Sequence, residues 1–161
     1  MPCLKNLLLL SHKKTFFMPN KKSFIFSLPL LMFGGMIYVL FRSRQTLLLK
    51  IADATPLSHT LTDIRDAVAT CQPSEWVVYS LPGALWAGAY VLIIHSLMHS
   101  LGPATRWRWA SVIPLLGVFS ELGQAAGIVP GTFDMLDLAG YLLPLVIYSL
   151  YVKSIIQKHG Q

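Results

Sequence analysis

The chain has 161 residues, 54% of them hydrophobic and only 12% charged, with a mean hydropathy of +0.57. That balance is too apolar for a soluble domain of this length and places the chain among integral membrane proteins. Thirteen Lys and Arg against seven Asp and Glu leave a net charge of +6, an excess that the cytoplasmic loops of membrane proteins normally carry; no basic stripe with interleaved aromatics accompanies it, which argues against a nucleic-acid partner.

Residues 1–17 hold one short apolar run, 7–10, too brief for a signal-peptide core or a span. Residues 1–22 are expected to form a loosely ordered cytoplasmic tail, and Met18, just ahead of Lys21 and Lys22, offers an alternative start of translation. Residues 23–41 make the first predicted span, bounded by those lysines and by Arg42 and Arg44. At 1.5 Å per residue its length is close to the hydrocarbon thickness. Gly34 and Gly35 in its middle would let a second helix approach closely, or would simply loosen the segment.

The long polar connection that follows contains a helix signature over residues 60–72. Thr60 can cap, Asp63 can close a capping box, and Leu61, Ile64, Val68 and Cys71 recur at helical spacing. This predicts an amphipathic interfacial helix whose polar face of Asp63, Arg65 and Asp66 is solvated. Cys3 and Cys71 lie on opposite sides of the first span, which disfavours a disulfide.

Residues 76–98 form the second span, interrupted early by Pro82 and Gly83. His95 and His99, four apart on one face, are weak metal candidates: no further ligands stand at matching positions, so no metal or cofactor is assigned. The third span, 107–126, is entered through the anchors Arg106, Trp107, Arg108 and Trp109. The turn at Gly127, Pro130 and Gly131 leads to the fourth span, 136–152, and a short cytoplasmic tail, 153–161. The expected fold is thus all-α and polytopic, with four transmembrane helices and one interfacial helix.

Orientation follows from the positive charges. With four spans both termini share a side, and that side carries nine Lys and Arg against four on the other, which makes it the cytoplasmic face of a bacterial inner membrane.

Glu121, Gln124, Asp134 and Asp137 are the polar residues that such a chain must explain. Glu121 and Gln124 are three apart on one helix face in the outer half of the membrane, and the turn returns Asp134 and Asp137 to that level. A carboxylate near the middle of a span costs roughly 3 kcal/mol on insertion scales, so it must be partnered or used. Asp134 can be the N-cap of the last helix and Asp137 its third residue, and Gln124 can donate between helices. Glu121 is too deep to cap its own helix and has no cation at helical spacing within its span.

A helix with Glu-x-x-Gln, a short Gly/Pro turn and an acidic residue opening the last helix resembles the VanZ-like membrane proteins, a family named after a teicoplanin-resistance protein. The resemblance rests on Glu121, Gln124, Gly131 and Asp137 and on the number of spans. The arginine usual in that family's turn is replaced here by Thr132 or Phe133, and the asparagine of its last helix by Gly140 and Tyr141; the arginine would have been the natural counter-ion of Glu121. The resemblance implies an outward polar pocket and a role in the cell envelope. The preferred function is therefore binding of a lipid headgroup, envelope precursor or cationic group by Glu121, Gln124, Asp134 and Asp137. The alternatives are a small subunit or scaffold of a larger membrane complex, with a protein partner or a second copy, and a proton or cation pathway. No nucleophile, metal set or phosphate loop accompanies the carboxylates, so catalysis ranks below binding.

Overall fold

With so little polar surface to offer, the backbone must satisfy its own donors and acceptors, and every regular element among the described residues is a helix. The computed structural model describes residues 20–43, 46–56 and 58–159, the side chains of residues 47, 48 and 155–159 excepted. The expected tail before Asn20, the start at Met18 and Cys3 lie outside the described residues. In chain order the helices are α1 (Lys21–Phe41), α2 (Leu47–Asp53), α3 (Ser58–Ala67), α4 (Glu75–Tyr79), α5 (Leu81–Leu97), α6 (Pro103–Ala110), α7 (Val112–Ala125) and α8 (Met135–His159). Two of them are long and apolar enough to cross a membrane, α1 and the Met135–Ser154 part of α8.

The second and third expected spans each consist of two helices. Ser80 alone separates α4 from α5, and Ser111 alone separates α6 from α7. Both serines keep right-handed helical dihedrals, and the helical ladder passes through them. Ser80 N–H donates to Trp76 O at 3.0 Å and Ala84 N–H to Ser80 O at 3.2 Å; Ser111 N–H donates to Trp107 O at 3.0 Å and Leu115 N–H to Ser111 O at 2.9 Å. The interruptions come from Pro82 and Pro114, which have no N–H for the carbonyls of Val78 and Ala110 one turn back. The interruption expected at Pro82 is thus found as a local break in the rod 75–97, whereas the continuous helix expected over 107–126 is corrected to a rod with a second break, at Pro114. The last helix also runs beyond its expected end, so residues 153–159 are helix rather than tail.

The interfacial segment differs more. Its helix is Ser58–Ala67 instead of 60–72, and Thr60 lies inside it rather than capping it. Pro73 keeps Gln72 out of the helical region, and the chain leaves α3 already at Ala67 through tight turns in which Ala69 N–H donates to Asp66 O and Cys71 N–H to Val68 O. Arg65 is not on a solvated face. Its guanidinium donates to the backbone carbonyls of Val39 and Arg42 and so caps the end of α1, where the last carbonyls of a helix lack partners. The additional helix α2 buries Leu49, which is 1% exposed.

Helix α5 is the hub of the bundle, packing along α1 on one side and α8 on the other, while α7 packs on α8. Small residues set these approaches. Gly34 of α1 faces Trp86, and a Cβ there would stand 2.7 Å from the indole Nε1; a Cβ on Gly140 of α8 would stand 2.9 Å from that of Ala84. The bundle interior is made of side chains such as Ala87, Ala89, Val91 and Ala110, whereas Phe26, Met32, Phe119 and Leu150 point outward. Gly34 and Gly35 are consequently unequal, since a Cβ on Gly35 meets nothing within 4 Å. Gly34→Val is expected to destabilise the bundle by about 1–3 kcal/mol through overpacking and Gly35→Val by much less. Thermal unfolding of the two variants side by side in detergent checks this; equal losses would mean that α1 does not dock through Gly34.

The two ends of the bundle differ in charge. At one end Asn20 N–H donates to Ser96 O at 3.1 Å, which sets Lys21 and Lys22 beside the last turn of α5. At the other lie Arg42, the Ser80 break, the end of α7 and the start of α8.

Candidate functional site

The acidic end is built by two helix termini facing each other. α7 ends in a Schellman motif: Gly127 N–H donates to Gln124 O at 3.0 Å and Ile128 N–H to Gly123 O at 2.8 Å. Gly127 supplies the required positive φ of 70°. The turn then passes Gly131, φ 138°, where a Cβ would stand 2.7 Å from Gln124 Oε1. Both features keep the turn tight, so Asp134 arrives directly over Glu121.

Glu121 is 4% exposed. Its Oε2 accepts the Asp134 backbone N–H at 3.2 Å, and its Oε1 accepts from Gln124 Nε2 at 3.4 Å. Asp134 is the N-cap of α8, its Oδ1 accepting Leu136 N–H at 2.8 Å. In a capping box the N-cap N–H is taken by the third helical residue of the same helix. That residue here is Asp137, one methylene shorter than the Glu or Gln that normally reaches back, and Glu121 of α7 takes the donor in its place. Glu121 thus caps α8 from a neighbouring helix, with no lysine or arginine among its hydrogen-bond partners.

The four predicted residues divide accordingly. Glu121, Gln124 and Asp134 are brought together and bonded. Gln124 does not donate between helices as expected; both its bonds, to Glu121 Oε1 and to Ser120 Oγ at 3.4 Å, stay within α7. Asp137 joins neither bond network as the expected backbone acceptor, and its half-buried carboxylate has no hydrogen-bond partner among the described residues.

Three residues belong to this end that the sequence reading did not single out. Buried Ser80, at the break between α4 and α5, lies 3.5 Å from Asp134 Oδ2 through its hydroxyl. Tyr141, one helical turn from Asp137 and so on the same face, spans the gap between α5 and α7. A Cβ on Gly117 would stand 2.6 Å from its ring, and one on Gly83 3.2 Å from its hydroxyl. Arg42 brings a positive charge to this end beside that of Arg65: its guanidinium sits 4.6 Å over the Tyr79 ring, and it acts electrostatically on Tyr141 together with Asp137 and Glu121. The i, i+4 spacing from Asp137 was the available signal for Tyr141. Nothing local signalled Ser80 or Arg42.

His95 and His99 also part company. His95 is buried, with Nδ1 3.2 Å from Tyr148 Oη and edge-on ring contacts to Tyr148 and Tyr151, while His99 is exposed. Among the described residues no group of three or more His, Cys, Asp or Glu could hold a metal ion.

What the acidic end can do chemically is accept hydrogen bonds or a positive charge. Asp137 offers a free carboxylate, flanked by the Tyr141 ring. Comparisons with protein-family models, with curated proteins and with solved structures give no match for this chain.

Proposed function

We propose that the chain is a multi-pass integral protein of a bacterial inner membrane, of VanZ-like type, whose outward end binds a polar or cationic group, such as an amine-bearing lipid headgroup or envelope precursor, at Asp137. Two helices long and apolar enough to cross a membrane and two bent rods of comparable length support the membrane part of this reading. α1 and α8 qualify singly, and the bent rods 75–97 and 103–125 each run about 34 Å along the backbone, against a hydrocarbon core of about 30 Å. Only 17% of each apolar window in α1 and α8 is buried inside the protein, so these helices need another apolar medium around them. A soluble core helix would be covered by its own fold. Lys21, Lys22, Arg106, Arg108 and Lys153 fall toward the end opposite the acidic cluster, which the positive-inside bias makes cytoplasmic along with both termini.

The observation that carries the binding reading is the carboxylate of Asp137, half-buried and unpartnered while its neighbours are satisfied within the fold. Phosphoethanolamine at millimolar concentration should raise the unfolding temperature of the purified protein by mass action. Asp137→Asn should abolish that rise while leaving the unliganded unfolding temperature unchanged. A rise that survives in Asp137→Asn, or a parent that gains nothing, defeats the reading.

A second reading, a small subunit of a larger membrane complex, is favoured by the internal satisfaction of Glu121 and Gln124, which gives those residues a packing role. A partner that co-purifies at fixed stoichiometry through mild detergent would establish it.

A further inference from the structure

A cavity of about 610 Å³ lies between α1, α5 and α8. Along most of its length it is apolar, lined by Leu30 of α1, Ala84, Gly88 and Leu92 of α5, and Pro144 and Ile147 of α8. It follows α5 from Leu81 to His95, about 21 Å at the helical rise, which exceeds the roughly 15 Å that one leaflet's chains span. At the His95 end the lining changes to His95, Tyr148, Tyr151 and Ser23. A second hollow of about 560 Å³ adjoins it there, sharing Ser23, Leu30, Leu92 and Tyr151 and adding Asn20 and Lys22.

The charges at that end are of one sign. All seven Asp and Glu of the chain lie between residues 53 and 75 or between 121 and 137, and none of them lines either hollow. Arg106 is close enough to act electrostatically on both His95 and Tyr148, and its Nε is buried with no hydrogen-bond partner among the described residues. A buried donor without an acceptor is costly to leave unmade. An apolar slot of acyl length that opens onto hydroxyls, an imidazole and unpaired cations has the polarity profile of one kind of molecule.

We propose that this cleft binds an anionic phospholipid of the leaflet at the basic end, one acyl chain lying along α5 past Gly88 and the phosphate held at Lys22, Tyr148 and Tyr151 within the field of Arg106. The proposal rests on the membrane reading but concerns a site at the opposite end from Asp137. The phosphate supplies the acceptor that the cations lack, and the chain fills space that neither α1 nor α8 reaches. Gly88 is where the slot is open by default. A Cβ there would meet Leu30 and Pro144 only at 3.9 Å, so a larger side chain enters the cleft without first forcing the helices apart.

Native mass spectrometry of the full-length protein in detergent, titrated with 16-carbon phosphatidylglycerol or with phosphatidylcholine of the same chains, tests this. One phosphatidylglycerol per chain should be retained at least tenfold more tightly than phosphatidylcholine. Gly88→Leu should weaken retention of both lipids at least tenfold by filling the slot, and Lys22→Glu should remove the preference for phosphatidylglycerol without removing the phosphatidylcholine adduct. Equal retention of both lipids by the parent, undiminished retention in Gly88→Leu, or a dimer that carries no lipid would each overturn the proposal. Carbonate extraction of the cell membranes from which the protein is purified separates the two levels of failure. Protein that stays in the membrane pellet yet holds no lipid sinks only the cleft, whereas protein released to the supernatant sinks the membrane reading as well.

Discussion

Replacing Glu121 by alanine is expected to cost about 2–3 kcal/mol of stability in detergent, the largest loss among the four polar residues Glu121, Gln124, Asp134 and Asp137. The Asp134 N–H at the mouth of α8 loses its acceptor, Gln124 loses one of its two bonds, and the buried site offers nothing to replace them. A buried donor left unsatisfied costs about 1–3 kcal/mol on its own, and loss of a helix N-cap interaction typically costs about 1 kcal/mol. Glu121→Gln should recover more than half of the loss, since an amide oxygen can still accept the N–H. This comparison separates capping from charge: if Glu121 were needed as the partner of a cation, Gln would be as damaging as Ala. Unfolding midpoints of the two variants decide between them, and an Ala variant as stable as the parent would dismiss the capping role. Asp137→Ala belongs in the same experiment as the contrasting case, because the carboxylate it removes has no hydrogen-bond partner among the described residues.

Gly117→Ala should be nearly as damaging through a different mechanism. The added Cβ would stand 2.6 Å from the Cγ and Cδ1 atoms of Tyr141 and 2.8 Å from Cδ2, so α7 and α8 must separate or the ring must leave the face of Gly83. Overpacking of this kind typically costs about 1–3 kcal/mol, and Gly117→Val should exceed Ala. Tyr141→Ala alone opens a cavity, at a typical cost of about 3–5 kcal/mol for a large aromatic in a well-packed core. In the double variant the clash is absent, so its loss should fall short of the sum of the two single losses, the coupling expected of residues in contact. Strict additivity would show that the close approach of α7 and α8 is not made at Gly117.

Apart from stability, these variants separate the two uses of polar side chains at this end. Glu121 spends its hydrogen-bonding capacity on joining α7 to the start of α8, Gln124 on bonds within α7, and Asp134 on capping α8. Asp137 and Tyr141, on the next turn of α8, face the same space with capacity left over. On the proposed membrane reading, lipid competes for apolar surface as well as another helix does, and a few buried bonds and close-fitting glycines settle which helices pair. Resistance to separation and availability for a ligand thus sit one helical turn apart on α8.

Much was decided by local sequence. The apolar runs and their flanking lysines, arginines and tryptophans located the four long helical stretches, because a long apolar run without strict alternation favours the helix. Gly127, Pro130 and Gly131 located the turn, and Asp134 its cap, since positive φ and an N-cap oxygen are requirements of single residues. Pro82 marked one helix break for the same reason. What remained undetermined was partnership. Asp137 reads as the third residue of a capping box, and only the arrival of Glu121 from α7 at the Asp134 N–H shows that the place is taken. Arg65 reads as a solvated side chain, and only the position of the end of α1 reveals the carbonyls it caps. Gly34 and Gly35 are identical in sequence terms; one faces Trp86 and the other open space. Each of these depends on a contact between residues far apart in the chain, where periodicity and propensity carry no information and only the packing of whole helices selects the partner.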